Sequence, residues 1–184
     1  MKNQMKSVIA DKFFELAQKK NIDKITVKDL VDACDISRQT FYYHFQDIFE
    51  VIEWHAEQLE AEMAAQCREA KSLEGAIRIL AAFFVEHHHL LEKLRDSQKR
   101  DFVEKLVLDA MQGRFRQAVR ESAADAPLDI SATEVETLIS FFSYGLAGIL
   151  VSHCQGRTPN VDELTQQILV VLRRLIPGID ETMR

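Results

Sequence analysis

Turn-forming residues are scarce in this chain of 184 residues, which has six glycines, none before Gly75, and three prolines. So little glycine and proline argues against many short strands and for long helices. Long apolar runs are missing too: none approaches the roughly 20 residues that a membrane span needs. Met1 to Ser7 are polar, so no secretory leader is expected. The cysteines are few, odd in number and far apart: Cys34, Cys67 and Cys154, with no C-x-x-C spacing. That pattern fits reduced thiols in a cytoplasmic setting better than a disulfide framework. Catalytic signatures are also absent. There is no HExxH, no glycine-rich phosphate loop and no local nucleophile motif, so neither an enzyme nor a cofactor is expected.

Excess positive charge is lacking as well. The net charge is −6, but it is unevenly spread: residues 1–50 hold eight Lys/Arg and eight Asp/Glu, whereas residues 51–184 hold 15 and 21. The acidity belongs to the second part. A neutral first part can still bind phosphate if its basic and hydroxyl groups share one face.

What is present is helical periodicity, with no alternating strand pattern. Val8, Ile9, Phe13, Leu16 and Ala17 predict a first helix over 3–20. Thr26 with Asp29 predicts a capping box for a second helix ending at Cys34. Ser37 predicts the cap of a short third helix over 38–44. Asp47 and Glu50 open a fourth helix to about residue 70. Ser72 opens another, ending near His87, and Leu90, Leu91 and Leu94 suggest a short one after it. Further helices are predicted over 99–122, 132–154 and from Asn160 to about Leu175. Loops are expected at 123–130, around Pro127, and at 155–159, and Pro177-Gly178 is expected to stop the last helix. The expectation is an all-α chain of about nine helices: a DNA-binding domain at 1–47 and a helical ligand-binding and dimerisation domain at 48–184.

Two short helices joined by a tight turn and braced by a first helix make a DNA-reading unit. The turn needs a residue that tolerates a left-handed backbone, and Asp35 does so better than most. The second helix of the pair carries Arg38, Gln39, Thr40, Tyr42, Tyr43 and His44, while Phe41 and Phe45 point into a small core. No acidic residue occurs from Ser37 through Gln46. Arg38 and Gln39, at the helix start, are placed to reach base edges. Thr26, Lys28, Tyr42 and His44 are candidates for phosphate, and the Ser37 hydroxyl is a further candidate DNA contact beside them.

Thr26 to Leu30, followed by Ile36 to Phe45, resembles the signature of the TetR/AcrR family of regulators over roughly residues 5–52. The run Phe41 to Ile48 is further similar to a subgroup that includes dihydroxyacetone-kinase operon regulators. The resemblance implies that Thr40, Tyr42 and His44 bind backbone phosphate and that Arg38, Gln39 and Tyr43 face the groove. Two positions depart from the pattern: Asp35 stands where glycine is usual, and Ile48 where lysine is usual. The second departure removes one expected phosphate contact.

In the second part, 135–151 is apolar on nearly every face, which implies burial either all round or between a core and a partner. The resemblance implies a homodimer through this helix and the last one. Val135, Leu138, Phe142, Gly145, Gly148, Ile149, Leu164, Ile168 and Val171 are the candidate interface. A pocket between bundle helices would be lined from Trp54, Phe83, His87, Phe102, Phe115, Phe141 and Tyr144. Each of these is also an ordinary core residue in a plain bundle. His87-His88-His89 reads as a polar helix junction rather than a metal site, because adjacent helical residues point apart.

The function expected is a sequence-specific DNA-binding transcriptional regulator, whether repressor or activator, modulated by a small-molecule effector or protein partner. The alternative is a helical interaction or sensor protein that has lost operator binding.

Overall fold

A computed structural model of the chain describes residues 2–70, 72–125, 131–153 and 160–175. Among them it is all helix. The elements are α1 (Lys2–Lys19), a 3-10 turn (Ile22–Lys24), α2 (Val27–Cys34), α3 (Arg38–His44) and α4 (Ile48–Glu69). They continue with α5 (Leu73–Arg95), α6 (Arg100–Asp125), α7 (Ala132–His153) and α8 (Val161–Leu175). Residues 126–130 of the loop expected at 123–130, the loop expected at 155–159, the stop at Pro177-Gly178, and Cys154 lie outside the described residues.

Most helix starts follow from local capping. Thr26 Oγ1 accepts from the Asp29 N–H, and the Asp29 carboxylate accepts in return from the Thr26 N–H at 2.7 Å. Ser131 and Glu134 repeat the device at α7. Asn160 Oδ1 accepts from the N–H groups of Asp162 and Glu163 at α8. Each cap satisfies donors that the helix itself cannot.

One expected boundary does not exist. The chain does not break at His87–His89; α5 runs unbroken from Leu73 to Arg95. The histidines fit a helix because two of them bond back along it: His87 Nδ1 to the Phe83 carbonyl at 2.8 Å and His88 Nδ1 to the Val85 carbonyl at 2.7 Å. The helix count is therefore eight among the described residues. Likewise α6 continues to Asp125, past its expected end at 122.

The chain divides into two compact units. The first comprises Met1–Glu62 with His89–Asp101, and the second Met63–His88 with Phe102–Arg184. Helices α4, α5 and α6 thus each have residues in both. The first unit has its core in Ile9, Phe13, Ile22, Leu30, Phe41, Phe45 and Val51, all buried. The second has Ala81, Phe84, Ile139, Leu150, Leu164, Ile168 and Leu169. No helix among the described residues is long and apolar enough to cross a membrane.

The Asp29 carboxylate accepts from Lys20 Nζ, Thr26 Oγ1 and the Thr26 N–H, which hold it well below the usual carboxylate range. A depressed folded-state pKa contributes stability above the unfolded value of about 4 and loses it as pH falls. Replacing the cap with Thr26→Ala should cost about 1 kcal/mol at pH 7. The gap between wild type and Asp29→Asn should stay constant above about pH 5 and narrow below about pH 4. Denaturant melts across pH measure both; a gap unchanged down to strong acid would refute the role given to Asp29.

Candidate nucleic-acid interface

The interface is built by two caps and one turn. After α2, Asp35 takes φ 52° and ψ 47°, and it is the one non-glycine residue with positive φ among those described. The Ile36 N–H reaches back to the Val31 carbonyl at 3.0 Å and the Asp35 N–H to that of Asp32 at 3.5 Å, which closes α2 as a Schellman motif. Ser37 then opens α3 at once, its Oγ accepting from the Thr40 N–H at 3.0 Å.

This local geometry fixes which side chains face out. Phe41 and Phe45 lie in the core, four residues apart. Arg38 and Gln39 are exposed at the start of α3, Tyr42 is 57% exposed and Tyr43 70%. Thr40 and His44 are half-buried, and His44 meets the Tyr43 ring edge-on at 5.0 Å. Thr26, Lys28 and Ser37 are exposed. Large exposed aromatics on a face without carboxylates are unlike an ordinary solvated helix surface.

The charged groups sort in the same way. Lys6 pairs with Glu50 and Lys20 with Asp29. Among the described residues Arg38 and Lys28 have no carboxylate partner, so their charges remain available to an anion. Ile48, where a lysine would extend this set, is half-buried at the start of α4.

Hydroxyl protons are more restricted than the sequence suggests. Thr26 Oγ1 donates its proton to Asp29 Oδ2 at 2.7 Å, so it has none left for a phosphate while the capping box is closed. Ser37 Oγ and Thr40 Oγ1 lie 2.9 Å apart and share one hydrogen bond. Whichever donates, the other keeps one free proton. The pair therefore supplies one donor to the surface, not two.

The candidate pocket residues fall in both units. Trp54 belongs to the first unit and packs edge-on against Phe45 with ring centroids 6.2 Å apart, at the foot of α3. Phe83 stacks with His87 at 4.4 Å, and Phe115 faces Phe142 at 6.3 Å. Phe102 is half-buried. Phe141 and Tyr144 are 60% and 61% exposed, so both stand on the surface of the chain rather than in its interior. No group of three metal-binding side chains comes together among the described residues.

The candidate dimer residues split into two sets. Leu164 and Ile168 are buried in the core of the chain itself. Val135, Phe142 and Ile149 are half-buried, and Leu138 (46%), Gly145, Gly148 and Val171 are exposed. Leu138, Phe141, Gly145 and Gly148 follow one another at spacings of three and four, the stripe of a single helix face. Nothing within 4 Å would meet a Cβ at Gly145 or Gly148, so this face is open to close approach.

Residues 9–53 match the family model of bacterial regulatory proteins, tetR family. Among solved structures the chain is similar to the protein described as dihydroxyacetone kinase operon activator DhaS. That match has a TM-score of 0.71 at 20% identity and covers 95% of this chain and 97% of that one. At that identity the likeness is one of fold. No curated protein matches the chain.

The shared proton gives a test by double-mutant cycle on duplex DNA. Ser37→Ala and Thr40→Val should each leave one free hydroxyl proton, and only the double variant removes it. The loss in affinity should therefore be more than additive, by about 1.5–3 kcal/mol for a bond to a charged acceptor. Additive losses would mean that the pair does not donate to DNA.

Proposed function

We propose that this chain, a TetR-family regulator by its residues 9–53, binds duplex DNA as a homodimer and reads sequence with Arg38, Gln39 and Tyr43. The observation that carries the reading is the outer face of α3: an arginine, an amide and two exposed phenols, with no acidic residue from Ser37 through Gln46. Base edges are reached from the N-terminal end of a recognition helix, where Arg38 and Gln39 lie. Lys28, Tyr42, His44 and the Ser37–Thr40 pair hold the backbone, which fixes register without reading sequence.

In this reading residues 1–47 engage DNA, and 48–184 serve for pairing and for an effector, a small molecule or a protein partner. The stripe Leu138, Phe141, Gly145 and Gly148 of α7, with the exposed Val170, Val171 and Leu175 of α8, is the pairing face. An apolar patch of this kind on a single chain calls for a cover. A two-fold pair sets two recognition helices against half-sites about 34–36 Å apart, one turn of DNA. An effector acts only if it binds two spacings of those helices with different affinity.

Selection from a randomised duplex pool should return a two-fold symmetric site. Gln39→Ala should relax the consensus at one position per half-site, where a bidentate contact is worth about 1–3 kcal/mol. Recovery of no preferred sequence by the wild type would overturn the reading.

Pairing is tested separately. Sedimentation of the wild type at micromolar concentration should give a dimer, and Gly148→Glu should give a monomer, because an unpaired charge would be buried on the face. A wild-type monomer would exclude the pairing, and a Gly148→Glu dimer would move it to another surface.

A further inference from the structure

An open cleft of about 460 Å³ lies between the C-terminal end of α1 and the last turn of α5. Both walls belong to the first compact unit, Met1–Glu62 with His89–Asp101. One wall is the run Lys19 to Ile22, and the other carries Glu92, Lys93 and Asp96. The volume falls within the roughly 300–1,000 Å³ of small-molecule sites. The buried Ile22 adds an apolar surface to an otherwise polar lining.

Three of the charged side chains along the cleft are already engaged. Lys20 pairs with Asp29 at 2.8 Å. Arg95 holds the Asp96 carboxylate through two bonds, at 2.9 and 3.3 Å. Lys93 Nζ donates to the carbonyls of Ala17 and Gln18 at 2.8 and 2.7 Å. Those carbonyls form the negative end of α1, so Lys93 masks a group that would repel an anion. Two charges of opposite sign remain. Lys19 forms no ion pair among the described residues. Glu92 has only the His89 ring, with Nδ1 at a loose 3.8 Å. Beside Lys19, Asn21 Oδ1 accepts from the Asp23 N–H at 2.8 Å, which orients the amide. Its two N–H donors have no partner among the described residues.

We propose that this cleft binds a small zwitterion, an amino acid or dipeptide, with its carboxylate on Lys19 and Asn21 and its ammonium on Glu92. Lys19 and Glu92 stand on opposite walls and do not pair with each other, so each lacks the charge that such a molecule carries. A simple anion gains Lys19 but meets Glu92, and a simple cation gains Glu92 but meets Lys19. An extended polyanion would lie against both Glu92 and Asp96. Recognition uses the two terminal charges alone, so the ligand's side chain is not read. The site is independent of the DNA-binding reading above.

The experiment is an amide NMR titration of the full chain with glycine and with glycylglycine, alongside acetate and methylammonium. At least one of the two zwitterions should give saturable shifts in the millimolar range, centred on residues 19–22 and 92–97. Acetate and methylammonium, each with one partner only, should bind about 5-fold more weakly, the upper value of an exposed ion pair. Lys19→Gln and Glu92→Gln should each weaken the zwitterion by a similar factor. Both are changes at the cleft's edge that leave the core intact, and an unchanged spectrum outside these segments verifies the fold. Lys19→Gln should not weaken methylammonium, nor Glu92→Gln acetate, which a general loss of structure would do. Absence of saturable shifts with both zwitterions would overturn the site. So would acetate binding as tightly as they do, which marks mere adhesion of anions to lysine, or zwitterion binding left unaltered in Glu92→Gln.

Discussion

Between α2 and α3 the chain reverses through Asp35 and Ile36, with Asp35 in the left-handed region that residues other than glycine, asparagine and aspartate rarely enter. The departure is held by its neighbours: Ile36 and Asp35 close the carbonyls of α2, and Ser37 caps α3 with no residue to spare. That turn sets the direction in which α3 leaves. It puts Phe41 and Phe45 in the core and turns Arg38, Gln39, Tyr42 and Tyr43 outward. A different backbone at Asp35 would rotate every one of them. The placement of the candidate interface thus depends on one strained residue and the two caps beside it.

Elements whose causes are local were legible in the sequence. Thr26 with Asp29, Ser37, Asp47 with Glu50, Ser131 with Glu134 and Asn160 mark helix starts through bonds that reach only two to four residues. The continuity of α5 was not legible. Three histidines read as an interruption, whereas two of the rings bond to carbonyls of the preceding turn. The hydroxyl protons were hidden for the same reason. Thr26, Ser37 and Thr40 each read as a donor, but the caps that make the helices already use two of the three protons.

Helix α7 shows a different limit. A helix apolar on all sides states that it is covered and not by what. Its two faces diverge: Ile139, Ser143 and Leu150 are buried, while Leu138, Phe141 and Tyr144 stand out. Periodicity could not assign Leu164 and Ile168 to the core of their own chain, nor Phe141 and Tyr144 to its surface, because apolar residues look alike on either side. Trp54 illustrates the same point at longer range. Its partner Phe45 lies beyond the Gln46–Asp47 corner, and only the fold brings the rings together.

The small number of cations on the outer face of α3 has a consequence for how the protein meets a genome. Lysines and arginines displace condensed counterions from the duplex, and that release drives indiscriminate adhesion to any DNA. On the proposed reading hydroxyl, phenol and amide donors do most of the contacting, and they displace none. Affinity for random sequence is then low at physiological salt, and less of the protein is held on the vast excess of non-cognate sites. A correct site need not be bound tightly in absolute terms to be occupied, since occupancy follows the ratio of the two affinities. On that reading few copies per cell would suffice, and their occupancy would change little when the ionic strength of the cell does.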